Sequence, residues 1–379
     1  MSSALRIVWT VSNWKRTGPV EPSLDLARAV AARGHDVRVL VGRAPAASTD
    51  PNTAAAAAAA RGLVAAPGDV RLAKHGAPWR DALDVRRVRA SLAAWPPDVI
   101  VTTLAGDHRL LQRAARGRIP VARLLFEDPE AVVGVRARRA LCRAAALFPF
   151  DEDAVARLAR LGVPADRVQC IDPPLDIASL LALAGSREAA RARWGVAPGR
   201  PLFGIVARMQ RHRRFDLLWD ALAVLRDQGL DFAFAAPGRG TWEEEVVHEP
   251  LRRLGLEQTV LRPGYLRGAD YASLLRALDA QVFLVPGSDP TCRALREGMA
   301  LGVPSVALRR GLLPAIVEEG VTGYLVQETP EALAAALARL AHDAPLRQRM
   351  AVAAAARAAA RYDAEAVAAR IETVLGGLR

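Results

Sequence analysis

The sequence predicts an α/β protein with two parallel sheets, each covered by helices. Three observations carry that prediction. Short apolar runs alternate with amphipathic stretches along most of the chain. The alternation breaks near residues 171–199 and then restarts. At 379 residues the chain is too long for one ordinary domain and suits two. Parallel strands need helical crossovers, so alternating β and α signals point to parallel sheets with helices on their faces.

Leu5–Val11 reads as the first strand, Leu24–Arg33 as a helix stopped by Gly34, and Val37–Val41 as the second strand. Asp98–Thr102 is a further strand. The alanine run Ala54–Ala60 is low-complexity and reads as a surface helix or loop without chemistry. Two prolines, Pro173 and Pro174, and an Ala/Arg-rich helix mark the junction. After Pro201 the rhythm returns, with strands expected at Leu202–Val206, Asp231–Ala235, Val260–Arg262, Ala280–Val285 and Ser305–Leu308. Two such runs imply two Rossmann-like domains, over 1–175 and 201–360, facing each other across a cleft. Residues 176–200 are expected as a linker.

Composition narrows the function. Hydrophobic residues make up 51% and charged residues 24%, as in a soluble globular protein. No apolar run reaches the roughly 20 residues that span a bilayer, and the N-terminus lacks the features of a signal peptide. Cys142, Cys170 and Cys292 are too few and too irregular for a disulfide framework or a zinc site, which suits the cytoplasm. The net charge is +12, yet Lys15 and Lys74 are the only lysines, a skew toward arginine that reads as codon usage. Nucleic acid is disfavoured, because no basic block is interleaved with aromatics and no nucleic-acid motif appears. An anionic membrane surface needs no motif. Val135–Arg143 is the patch that would meet one, a solvated helix face being the plainer alternative.

The chemistry concentrates in Pro286–Pro304, PGSDPTCRALREGMALGVP. Pro-Gly-Ser puts Asp289 in a loop or at a helix N-cap, and the pattern from Thr291 to Gly302 is helical. Asp289 and Glu297 are eight positions apart, about 12 Å along a helix. That is too far to share a proton and well suited to gripping two parts of a hydroxyl-rich ligand. The helix start between them, at Thr291, Cys292 and Arg293, would offer N–H groups to an anion. An ordinary capped loop–helix is the plainer alternative.

This stretch resembles the donor-site signature of the retaining, family-four glycosyltransferases of the GT-B fold. That signature has two glutamates eight apart, the second opening a Glu-Ala-Met-Ala-x-Gly-x-Pro run. Glu297 to Pro304 matches, with Gly298 for the first alanine, and Asp289 replaces the first glutamate. The resemblance implies that Asp289 contacts the transferred sugar and Glu297 the ribose. It implies that Arg208, ending a strand, and Arg213, standing where the family has lysine, neutralise the donor diphosphate. Arg211 and Arg214 are expected as solvated helix charges. Gly18, in the loop after the first strand, matches the family glycine near the donor phosphates, with Pro19 in place of a second glycine. Gly238 and Gly264 resemble the loops lining the nucleotide base, with Tyr265 and Leu266 beside it.

In the first domain, expected on the acceptor side, Lys15, Asp107, His108 and Glu127 are candidates. Many relatives have a histidine at the strand end where this chain has Phe126, Glu127 and Asp128. His35, in Arg33-Gly34-His35, is expected to be a turn residue. There is no G-x-G-x-x-G, so a dinucleotide is disfavoured. The last helix, from about Asp363, is expected to return to the first domain.

The function implied is transfer of a sugar from a nucleoside-diphosphate donor to an unknown acceptor, without metal or cofactor. Relatives react through a short-lived ion pair, so no protein nucleophile is named. Two alternatives stay open. A nucleotide-sugar epimerase or hydrolase would turn over donor alone. A non-catalytic nucleotide-sugar-binding subunit would bind donor without turnover, a reading favoured by Asp289 and the absent histidine.

Overall fold

The computed structural model describes residues 4–12, 14–16, 18–45, 48–68, 70–72, 78–131, 134–285 and 292–378. Among them the chain divides into two compact units. One comprises the residues up to Leu175 with those from Tyr362 onward; the other comprises those from Asp176 to Arg361.

The first unit holds strands β1 (Arg6–Val11), β2 (Asp36–Val41), β3 (Val64–Ala65), β4 (Val99–Thr102), β5 (Val121–Leu125) and β6 (Ala146–Pro149). They form one parallel sheet in the order β3-β2-β1-β4-β5-β6. Strands β3 and β6 escape sequence reasoning. The first is two residues long and exposed. The second ends in Pro149, which argues against a strand unless it lies at an edge, where β6 does lie. The alanine run is a helix, Ala54–Ala59, capped by Thr53. It is not merely surface, since Ala54, Ala57 and Ala58 enter the core.

Helix Ala364–Gly376 packs on helix Val20–Ala32, and its Val367, Ala368, Ile371 and Leu375 share the core with Leu24 and Ala27. The corner after the first helix anchors it. Arg33 Nε donates to Glu372 at 2.6 Å, and His35 accepts from the Leu5 N–H at Nδ1 while Nε2 faces Glu372 at 3.2 Å. His35 is thus structural, and Gly34 turns the chain with φ +95°.

The second unit repeats the topology with β7 (Leu202–Gly204), β8 (Ala233–Ala235), β9 (Val260–Leu261), β10 (Ala280–Phe283), β11 (Ser305–Leu308) and β12 (Gly323–Val326). Their order, β12-β11-β10-β7-β8-β9, is the first sheet's order again. In such a sheet the strand order reverses between the first and fourth strands, and ligands gather at the carboxyl ends there. For the second sheet that point lies between β7 and β10.

Residues 176–200 are an integral part of this unit rather than a free linker. They form helices Ile177–Ala184 and Arg187–Arg193, both packed on helix Gly268–Ala277. Asp279 fastens them. Its buried carboxylate accepts from Arg187 Nη2 at 2.8 Å, Arg191 Nη1 at 2.9 Å and the Leu202 N–H at 2.8 Å, and lies 3.2 Å from Arg347 Nε. Removing it leaves three partly buried guanidiniums without their shared partner. Asp279→Ala is expected to cost about 3 kcal/mol, read as a lowered urea midpoint at unchanged m-value.

Candidate functional site

Two arginines stand at the carboxyl end of β7. Arg208 is exposed; Arg213 is half-buried in a 3-10 turn, Arg211–Arg213, and donates through Nη1 to the Val285 carbonyl beyond β10 at 3.2 Å. Burial and then the neighbouring Arg208 charge pull the Arg213 guanidinium below its usual value, with Cys292 acting the other way. Among the described residues no carboxylate pairs with either arginine. Their neighbours differ. Arg211 makes a two-point pair with Glu245 and stacks on Trp242 at 3.7 Å. Arg214 has a left-handed backbone (φ +59°) and pairs with Asp216 and Glu328. Among the described residues the switch point therefore presents two positive charges without a carboxylate partner.

Helix Arg293–Ala300 follows β10 and opens at buried Cys292, whose φ of +46° is a strained value for a side-chain-bearing residue. Asp289 and Thr291 lie outside the described residues. Glu297 is buried, 7% exposed, and each of its oxygens is held by one bond. Arg293 Nε donates to Oε1 at 2.7 Å, and the Tyr271 hydroxyl donates to Oε2 at 2.5 Å. Burial, reinforced by Glu297, holds Tyr271 well above the usual tyrosine range, so it stays a donor. These two bonds fix the carboxylate and leave lone pairs for vicinal hydroxyls.

Gly298 has a structural cause. A Cβ there would strike the side chain of Gln281, whose Nε2 donates to the Leu295 carbonyl at 2.8 Å and to Ser305 Oγ at 3.0 Å. Gln281 thus fills the space of the family's alanine. Gly298→Ala is expected to cost about 1–3 kcal/mol by overpacking. Gln281→Ala in the same chain should restore much of the loss, checked by thermal melts of the three variants.

The two glycine loops shape the arginine loop. Gly238 (φ +157°) admits the Ala207 carbonyl where a Cβ would stand, and its N–H donates to the Gly264 carbonyl at 2.9 Å. Its role is close packing beneath Arg208. Tyr265, 54% exposed, has the guanidiniums of Arg239 and Arg267 at 4.6 and 4.9 Å from its ring centre. That is a rigid aromatic face stacked by cations. Leu266 is half-buried. An apolar recess lined by Val206, Pro237 and Tyr271 lies in the same unit.

The first-unit candidates separate. Lys15 is exposed over the Trp14 ring at 5.0 Å, and Gly18 is exposed with open space where a Cβ would go, so among the described residues nothing requires glycine there. Asp107 and His108 are not available to an acceptor. Asp107 is fully buried and accepts from the Thr103, Leu104 and His108 N–H groups and the Thr10 hydroxyl, pinning the start of helix Ala105–Ala115. Thr102 Oγ1 donates to the Ala122 carbonyl, so it accepts from His108 Nδ1–H at 2.9 Å, and Nε2 accepts a hydrogen bond from Gln112 Nε2–H at 3.0 Å.

Burial, then the Arg123 charge, lowers His108 to about 3, and burial raises Asp107 to about 6. An unfolded histidine titrates near pH 6.5. His108 therefore makes the fold less stable as pH falls from about 6.5 toward 3, while Asp107 acts oppositely between about 4 and 6. His108→Gln should remove the first contribution, seen as a shallower loss of stability on acidification.

Glu127 remains. It is half-exposed, held by Arg123 Nη2 at 2.8 Å and the Ala105 N–H at 3.2 Å. Arg123, fully buried inside β5, was not anticipated, although an arginine within an apolar strand was a visible signal. Tyr271 had no such signal.

Both halves of the chain match known families. The profile of the group 1 glycosyl transferases matches residues 186–357, and that of the glycosyl transferase 4-like domain matches residues 17–174. WcaL of Salmonella typhimurium is 35% identical over 159 residues, 39% of this chain and 38% of its own length. The D-inositol 3-phosphate glycosyltransferase of Nocardiopsis dassonvillei is 32% identical over 248 residues, 62% of this chain and 56% of its own. The chain thus spans about half or less of the length of the curated relatives it matches. Anabaena HepE in complex with UDP and glucose has the same fold, at TM-score 0.76 and 21% identity, covering 98% of this chain and 100% of that one. A glycosyltransferase of Rickettsia africae superposes at TM-score 0.81 with 12% identity, over 99% of both chains. With both halves matched and both sheets in place, the chain belongs to the group 1, family-four glycosyltransferases of GT-B fold.

Proposed function

We propose that this chain transfers a sugar, with retention at the anomeric carbon, from a nucleoside-diphosphate sugar to a hydroxyl of a glycan, lipid-linked or small-molecule acceptor. The observation that carries this reading is the pair Arg208 and Arg213, without carboxylate partners among the described residues, in the same unit as the buried, oriented Glu297. As the bond from the anomeric carbon to the phosphate oxygen breaks, its electron pair goes to the leaving diphosphate. Fixed cations stabilise that charge most where water is excluded. Glu297 holds the ribose, Asp289 meets the sugar, Thr291 meets the donor beside it, and Cys292 and Arg293 supply the helix start. Tyr265 and Leu266 flank the base, and Gly18 leaves room for the phosphates. The UDP and UDP-glucose bound to HepE support a uridine donor, and the curated relatives support a colanic-acid-type glycan or an inositol 3-phosphate as acceptor.

On the acceptor side the reading retains Lys15 and Glu127. It requires no metal, so a chelator should leave turnover unchanged. It takes the protein to be cytoplasmic, with the basic helix Val135–Cys142 against an anionic membrane surface. Among the described residues no helix is long and apolar enough to cross a membrane.

The test is incubation with UDP-glucose and a panel of acceptors including inositol 3-phosphate, followed by NMR of the anomeric proton. An α-linked product supports the reading. A β-linked product, or donor consumed equally without acceptor, overturns it.

A further inference from the structure

In the first unit, helices Ala105–Ala115 and Val135–Cys142 pack together and border a cleft of about 1310 Å³. Arg109, Arg113 and Arg116 line it from the first helix and its cap, at i, i+4 and i+7. Arg136, Arg139 and Arg143 line it from the second, at i, i+3 and i+7. Each set falls on one helix face. All six side chains are exposed, and among the described residues none pairs with a carboxylate. The only acid in the described lining is Asp107, buried and occupied by four donors. Arg167, also in the lining, uses one nitrogen on the Cys142 carbonyl. Like charges at these spacings repel, so the free protein carries this concentration at a cost to its own stability.

The cleft is not only basic. Its floor is aliphatic, with Leu72, Val85, Leu110 and Val121. Beside Arg136, Val135 is 65% exposed. No aromatic ring is among the described lining residues, so nucleobases find nothing to stack on. Guanidiniums bind phosphate oxygens in pairs, and an aliphatic floor suits hydrocarbon.

We infer that this cleft is a second ligand site, which takes a phosphate group on its arginines and the adjoining hydrocarbon of an anionic lipid on its floor. The lipid as source of the phosphate rests on the membrane reading above; the phosphate chemistry does not.

The test uses the full chain in two arms. The first is co-sedimentation with phosphatidylcholine vesicles, with and without phosphatidylglycerol. The second is calorimetric titration with free pyrophosphate. Two cleft variants, Arg136→Gln/Arg139→Gln/Arg143→Gln and Arg109→Gln/Arg113→Gln/Arg116→Gln, are compared with Arg193→Gln/Arg226→Gln/Arg252→Gln. The last removes the same charge from exposed positions in the second unit. Glutamine preserves helix propensity, and UDP binding by the second unit, measured in parallel, reports on the donor reading separately.

Binding that requires phosphatidylglycerol should fall about fivefold per cleft arginine, on the order of a hundredfold for either cleft triple, and far less for the control. Arginine-dependent binding of pyrophosphate without vesicle binding supports the phosphate site and removes lipid as its source. Binding of neither, or an equal loss in the control triple, overturns the site.

Discussion

Replacing Arg208 or Arg213 by glutamine is expected to lower sugar-nucleotide turnover by about a hundredfold or more, the effect of removing one preorganised donor to a developing charge. The loss should appear mainly in kcat, because negative charge grows on the diphosphate as the glycosidic bond breaks. Arg213 is tethered through Nη1 to the Val285 carbonyl and pulled below its usual value by burial and by Arg208. An anion bound between the two guanidiniums relieves that repulsion. Arg213→Lys keeps a cation where the family has lysine and should retain most of the activity. Arg211→Gln, by contrast, breaks only an exposed pair with Glu245 and should leave kcat nearly unchanged. Steady-state kinetics of the wild type and the four variants with one donor separates these outcomes. Equal, small effects at Arg208 and Arg211 would contradict the assignment.

At Glu297 the expected effect is on affinity. A hydrogen bond to a charged group contributes about 1.5–3 kcal/mol, so Glu297→Gln should weaken nucleotide binding about 10- to 100-fold. The carboxylate is buried and oriented by Tyr271 and Arg293, and its remaining lone pairs are those that would accept ribose hydroxyls. Wild-type protein should therefore prefer UDP to 2′-deoxy-UDP, and the variant should lose that preference. Tyr271→Phe removes only the orienting bond and should have a smaller effect in the same direction. An unchanged preference in Glu297→Gln would place the ribose elsewhere.

Periodicity and breaker residues made most of the fold legible, because buried parallel strands are short continuous apolar runs bounded by turns. Leu5–Val11 and Ala280–Val285 announced themselves that way, and β10 was found within two residues. Edge strands lack that signature. Val64–Ala65 has little to bury, and Pro149, with no N–H to give, closes an edge strand whose outer side meets the irregular segment 168–171, from which the Ile171 N–H donates to the Pro149 carbonyl at 3.0 Å. At the candidate site, the resemblance singles out Glu297, Arg208 and Arg213 from short stretches of sequence, and all three lie in the second unit. Tyr271 and Gln281 are not singled out, because each meets helix Arg293–Ala300 only through the fold: one approaches Glu297 from a neighbouring helix, the other Gly298 from β10. Asp107 and His108 misled in an instructive way. They lie at a strand's carboxyl end, where ligand residues gather, but the same position starts a helix, and helix starts need buried acceptors.

The most direct test is calorimetric titration of the protein with UDP, GDP and ADP. One of the three, UDP on the present reading, should bind, and Glu297→Gln should weaken it about 10- to 100-fold. Binding of none, or binding indifferent to Glu297, would mean that the second unit does not hold a nucleotide-sugar donor as described.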